Sequence, residues 1–253
     1  MTARGRATKA GRAVERRPRP ARTRGATGVP AALGFSVHSG WAALVALAGD
    51  PRAPRVVLRE RIEMADPEHP ESRQPYHAAE GLDLEGARRL LKGFADTARR
   101  LARLALGRVS RDLRRSGCVP RSSGILQAAG RLPRRLDEIL ASHAFIHTAD
   151  GVHFREALAH ASERNGWAVT RIPGREALGR AAETLGTSAA DLQARVEAMG
   201  RPLGPPWTAD QKHGALAAWF LLASAAPSDR SNEKKGPGPA ARREGPDSGG
   251  RIR

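Results

Sequence analysis

Apolar and polar positions change their spacing several times between residues 31 and 115, and each change predicts an element. Ala31 to Ser39 is almost continuously apolar, as a central strand buried on both faces requires, and Gly40-Trp41 offers a turn. Ala42 to Ala48 continues as a second apolar strand until Gly49-Asp50-Pro51 breaks it. Arg55 to Glu63 then alternates at period two. Val57, Arg59 and Arg61 oppose Val56, Leu58, Glu60 and Ile62, which predicts a third strand nearer the sheet edge. Residues 67–81, rich in Pro, His, Glu and Gln, read as a loop. From Leu84 to Arg115 the period lengthens, and Ala87, Leu91, Phe94, Ala98, Leu101 and Val109 fall on one stripe of a long helix.

The second half continues in shorter pieces. Gly117 to Ser123 reads as a turn region and Gly124 to Ala129 as a short buried strand. Leu136 to His143 is helical in pattern. Phe145 to Gly151 then leads into a helix from Val152 to Asn165, stopped by Gly166. Ala168 to Pro173 is a fifth strand, and residues 175–185 and 188–199 are helices. After a Pro-rich loop at 201–207, Thr208 and Gln211 form a capping box that opens the last helix, to Ala225. The elements follow the order βββαβαβα. They predict an α/β fold with a mixed five-stranded sheet flanked by helices.

Charge changes this picture less than its size suggests. The formal net charge is +17, but residues 1–28 carry +8 of it and residues 228–253 carry +3. Both ends are poor in large apolar residues, so the expectation is a basic disordered arm over 1–28, one folded domain over 29–227 and a disordered tail over 228–253. Within the domain the excess sits on the long helix, where ten Lys/Arg oppose Asp96 and Asp112 between Gly86 and Arg115. A run of this kind is either a solvated outer face or a ridge that tracks phosphates, and one-sidedness separates the two. Arg88, Arg89, Lys92, Arg99, Arg100 and Arg103 are the candidate nucleic-acid contacts.

Candidate chemistry is sparse. Cys118 is the only cysteine, which excludes a disulfide framework and a thiolate metal cluster. The first residues show no secretory apolar core and no segment is long enough to span a bilayer, so a cytoplasmic location is expected. Ser36 and His38 share a strand face, but Gly34-Phe35-Ser36-Val37-His38 lacks the second glycine of a nucleophile elbow. His143, His147, His153 and His160 cluster in sequence, the first two at the i,i+4 spacing of a helical metal pair. No Glu follows His143 as in a zincin, and the expectation is no metal site there. The stretch from Ser142 to Gly151 precedes a predicted helix, whose N-terminal N–H groups attract anions and which Asp150 is placed to cap.

Element order and two local motifs resemble the ribonuclease H-like superfamily, in particular its Holliday-junction resolvase (RuvC-like) branch. Gly34-Phe35-Ser36, with Gly40 after it, is similar to a first strand that reads glycine, apolar residue, aspartate. Asp210-Gln211-Lys212-His213-Gly214-Ala215-Leu216 looks like the start of the resolvases' last helix, with an aspartate and a second carboxylate three residues on. The resemblance implies clustered carboxylates that clamp two Mg²⁺ ions on a phosphodiester. This chain departs at three places. Ser36 replaces the central aspartate, His213 replaces a carboxylate, and Ile125 to Ala129 holds only Gln127. Asp210 is the one survivor.

The expected function is a catalytically degenerate ribonuclease H-like protein that binds DNA or RNA weakly and in a salt-dependent way, mainly through the basic arm and the Arg-rich helix, or binds a nucleic-acid-associated protein partner. No cofactor is expected. One alternative is a Mg²⁺-dependent nuclease or phosphodiesterase using Asp210 with His147, Asp150, Glu60 or Glu63. Another is a structural or regulatory protein with no nucleic-acid role. Ser36, His147, Asp150, Asp210 and His213 are the candidate catalytic positions.

Overall fold

The computed structural model describes residues 28–225, so the predicted arm, apart from Gly28, and the predicted tail lie outside the described residues. Strands β1 (Val29–His38), β2 (Trp41–Ala48), β3 (Arg55–Glu63), β4 (Cys118–Gln127) and β5 (Ala168–Pro173) form one sheet in the order β3-β2-β1-β4-β5. β2 pairs antiparallel with β1 and β3, while β4 is parallel to β1 and β5 to β4, so β2 alone runs against the rest. The mixed five-stranded α/β architecture is as expected. Gly40, at φ 85°, closes the first hairpin in a conformation that favours glycine.

Seven helices are present among the described residues: α1 (Pro75–Ala78), α2 (Leu84–Arg115), α3 (Leu136–Leu140), α4 (His143–Arg164), α5 (Ala177–Leu185), α6 (Ala189–Met199) and α7 (Ala209–Ser224). Alternation along β1 distributes them into layers. Leu33, Phe35 and Val37 join one core with Leu44 and Ile62, beneath Ala102 and Leu106 of α2 and Phe154 of α4. On the opposite face Ala32, Val45 and Leu47 pack under α7, with α5 and α6 beside it.

The α7 side is unusually close. A Cβ built on Gly34 would stand 1.9 Å from the Gly214 carbonyl oxygen and 2.6 Å from the Ala218 nitrogen. Gly124, in register with Gly34 on β4, lies under the same helix, within 3.3 Å of the Ala217 carbonyl for a hypothetical Cβ. Helix backbone therefore rests almost directly on strand backbone, an approach only glycine permits.

Several boundaries differ from the sequence reading, each for a physical reason. β4 begins at Cys118, not Gly124, because Gly117 alone makes the turn at φ 73°. Pro120, inside the stretch read as a turn, is accommodated by a register shift in which Ala31 pairs with Pro120 and Ala32 with Ser122. A similar shift places an extra residue, Val57, in β3, so Val56 packs with the α7-side core and Leu58 with the other. Strict alternation therefore fails at that point, although β3 is an edge strand as predicted.

The largest difference is α4, a continuous helix from His143 where a lead-in segment was expected over 145–151. Gly151 lies inside it, beside the end of the Arg155 side chain. A Cβ there would lie 2.6 Å from an Arg155 guanidinium nitrogen. Asp150 is consequently mid-helix and does not cap it, and the predicted helix start behind it does not exist.

α4 also packs along α2, and His153 sits at that contact with a buried Nε2 that has no partner. Burial pushes its pKa down to about 4, aided by the Arg99 charge and opposed by a backbone hydrogen bond at Phe94. The imidazole is thus neutral in the fold and must take up a proton on unfolding below its ordinary value of 6.5. Stability is full above pH 6.5 and falls as pH drops toward 4, by about 3 kcal/mol at the acid end. Urea denaturation at stepped pH should show this loss, and His153→Phe should remove most of it. A second measurement tests the glycine contact. Gly34→Ala should cost about 3 kcal/mol or more through forced backbone movement. Gly93→Ala, on α2 with nothing within 4 Å of the added Cβ, should instead stabilise by ~0.5–1 kcal/mol.

Candidate functional site

The glycine crossing sets where Asp210 falls. Gly214 lies over Gly34, and Asp210 stands one turn upstream on α7, above the residue two positions further along β1. There the Ser36 hydroxyl donates to Asp210 Oδ1 at 2.9 Å, and His38 Nε2 lies 2.7 Å from the same oxygen. The first turn of α7 is held by the predicted capping box, with both Thr208–Gln211 hydrogen bonds made. Behind it, Arg59 of β3 donates to the carbonyls of Leu203, Gly204 and Pro206, which fixes the loop that delivers Asp210. His38 stacks on Trp41 with ring centroids 4.5 Å apart, and the Arg61 guanidinium covers that indole at 3.7 Å.

The electrostatics follow from this geometry. Partial burial pulls the Asp210 carboxyl upward, but the hydrogen bonds from His38 and Ser36, with the positive potential of His38 and His213, outweigh it. The net displacement is below the ordinary carboxylate range. Serine and histidine both address one carboxylate oxygen, so the imidazole does not stand between hydroxyl and carboxylate. The arrangement is not a relay for activating Ser36 as a nucleophile.

The other positions of a two-metal site are filled differently. At the end of β4, Gln127 donates to the Ile125 carbonyl of its own strand, and Arg155 donates to the Leu126 carbonyl at 3.0 Å. A guanidinium, not a carboxylate, closes that end of the sheet. Glu60 is paired with Arg108 and Glu63 with Arg61. His213 lines a cavity of about 470 Å³ with Leu126, Ala177, Val196, Ala209 and Leu216. Hard cations need several charged oxygen ligands. One carboxylate flanked by a hydroxyl and imidazoles does not fit a pair of Mg²⁺ ions.

The sequence candidates thus separate into two groups. Ser36 and Asp210 meet, with His213 in electrostatic reach. His147 and Asp150 belong to a second cluster with His143 and with His77, which sequence reading had left in a loop. His77 could not be found from spacing, since it comes from α1, far away in sequence. Asp150 is 2% exposed, accepts the Tyr76 backbone N–H at 2.7 Å and contacts His77 Nδ1 at 2.5 Å. Its desolvation outweighs these bonds and pushes its carboxyl up. His38, missed as a site residue, was legible as the i+2 neighbour of Ser36 on the same strand face.

The third candidate surface is α2. All ten of its Lys and Arg side chains are exposed, and they occupy roughly the half of the circumference opposite Ala87, Ala98 and Val109. Arg89, Lys92, Arg99, Arg108 and Arg115 have carboxylate partners within 4.0 Å. Arg88, Arg100, Arg103, Arg111 and Arg114 have none among the described residues.

No family model matches the chain, and no curated protein matches it. Among solved structures it is similar to RuvC from T. thermophilus in complex with a Holliday junction substrate, at 12% identity and a TM-score of 0.44. That match covers 77% of this chain and 94% of the other. The Thermus thermophilus RuvC structure determined separately gives the same values. At this distance the functional reading rests on the chain's own residues. No helix among the described residues is long and apolar enough to cross a membrane.

The Ser36 and His38 contacts make a direct prediction. Ser36→Ala and His38→Ala should each raise the Asp210 pKa, read by carboxyl NMR titration, and Ser36→Ala should cost about 1 kcal/mol near neutral pH. Because the folded Asp210 pKa is depressed, that contribution is present above its unfolded value and fades as pH falls through the folded one. An Asp210 that titrates identically in all three proteins would show that neither contact persists in solution.

Proposed function

We propose that the protein binds nucleic acid through the outer face of α2 and does not cleave it by a two-metal route. The observation that carries the reading is the one-sided distribution of exposed cations on α2. A solvated face tends to pair its charges along the helix, as Arg89–Glu85 and Lys92–Asp96 do. Arg88, Arg100 and Arg103 lack such partners among the described residues and project from the same side. Closely spaced arginines without carboxylates attract a phosphate backbone by counterion release, with no need to read bases.

The absence of cleavage rests on the donor set around Asp210. Ser36, His38 and His213 supply neutral or cationic partners where two divalent ions would need carboxylates, and Arg155 adds positive charge at the end of β4. α2 and α7 pack on opposite faces of the sheet. Binding along α2 therefore makes no demand on the Asp210 cluster. A nuclease using Asp210 is the second outcome that the same experiment reads.

Fluorescence anisotropy with labelled duplex DNA, single-stranded DNA and RNA, over a range of salt, tests this. The logarithm of affinity should fall steeply with the logarithm of salt, by about 0.9 per neutralised phosphate on a duplex. Replacing Arg88, Arg100 and Arg103 together by Glu should weaken binding at least roughly tenfold and flatten the slope by about 2–3. Binding that ignores salt, or that survives the triple replacement unchanged, would remove α2 from the reading. Mg²⁺-dependent cleavage lost in Asp210→Asn would restore the nuclease.

A further inference from the structure

Three imidazoles meet near the start of α4. His143 and His147 stand one turn apart on that helix with their Nε2 atoms 3.0 Å apart, and His77 approaches from α1. A potential ligand nitrogen from each lies within 4.8 Å of the other two. Ring centroids are 4.4 Å apart for His77–His147 and for His143–His147, and 5.3 Å for His77–His143. The residues 143, 147 and 150 form one i, i+4, i+7 stripe of α4, which places Asp150 directly behind the imidazoles.

Asp150 supplies the second, independent observation. It is 2% exposed, and its two oxygens are used separately, Oδ1 by the Tyr76 N–H and Oδ2 by His77 Nδ1. A carboxylate accepts, so Nδ1 of His77 carries a ring proton and Nε2 is the nitrogen left to face a metal. A buried carboxylate that fixes tautomer and ring orientation in this way is the usual outer partner of a metal-ligating histidine. Tetrahedral coordination with bonds of ~2.0–2.1 Å places ligand nitrogens about 3.3–3.4 Å apart, close to the His143–His147 separation. A hydrogen bond between His143 and His147 would explain those two rings alone. It gives no reason for a third imidazole, oriented by a buried carboxylate, to join them.

We propose that His77, His143 and His147 form a binding site for a zinc-class divalent cation, with Asp150 as the outer carboxylate that orients His77. Neutral imidazoles are borderline ligands that suit Zn²⁺ and its late first-row neighbours and are poor partners for Mg²⁺. Three nitrogens leave a fourth tetrahedral position for water. The cation would also tie α1, and with it the segment between β3 and α2, to α4. The site is independent of the α2 surface and of the Asp210 cluster, so its failure would leave the nucleic-acid reading untouched.

The test uses the full chain, stripped with a chelator and titrated with Zn²⁺ by calorimetry and with Co²⁺ by visible absorption. One equivalent of Zn²⁺ should bind, Co²⁺ should show the d–d absorption of a four-coordinate ion, and Mg²⁺ should compete with neither. His143 and His147 are exposed, so His143→Ala/His147→Ala should fold normally and bind Zn²⁺ at least 100-fold more weakly. Asp150→Asn should lower the affinity about 10–100-fold. His160→Ala, an exposed histidine further along α4, should change nothing. A wild-type chain that binds Zn²⁺ no more tightly than the double variant overturns the proposal, as does an affinity that depends on His160.

Discussion

Backbone resting on backbone where α7 crosses β1 is the constraint from which the Asp210 site follows. Gly34 and Gly214 remove both side chains from the crossing, and Gly124 widens the gap toward β4. The helix axis is thereby lowered onto the sheet by about the thickness of a side-chain layer. A larger residue at either position would lift α7 and carry Asp210 away from Ser36, whose 2.9 Å bond depends on that depth. The Arg59 clamp on the Leu203–Pro206 carbonyls acts on the same helix from its N-terminal side. Height is fixed by the glycines and the approach of the chain by the arginine.

This division explains how much the sequence disclosed. The strands, the long helix and the capping box were legible because each is a local pattern of period or spacing. The Ser36–Asp210 pairing became legible once topology placed β1 beside the last helix, since the motif at each end has its own signature. The failures share a cause. The stretches 117–123 and 145–151 look locally irregular, and both lie inside regular elements, the first in β4 with a shifted register at Pro120 and the second in the continuous helix α4. Val57 likewise defeats alternation because a one-residue bulge in an edge strand leaves the pattern on either side intact. His77 gave no signal, because its partners lie on a helix brought to it only by the packing of α1 on α4.

The two carboxylates that face histidines show how burial decides between similar contacts. Asp210 and Asp150 each accept from a histidine and from one further donor. Asp210 keeps 28% of its side chain in solvent and Asp150 keeps 2%. Hydrogen bonding wins at the first and desolvation at the second, so the carboxyls move in opposite directions from the same starting value. Sequence could name both residues. It could not rank them, because exposure belongs to the packed chain.

The groups around Asp210 also reinforce one another. With an aspartate at position 36, two carboxylates would face each other about 3 Å apart, and only a bound cation or a shared proton would relieve their repulsion. A serine removes that demand and gives Asp210 a donor in its place. His38 and His213 then add positive potential at Asp210. A carboxylate already held by protein donors has little need of a metal. An aspartate introduced at position 36 alone would therefore place a charge beside Asp210 without creating the field that two divalent ions require.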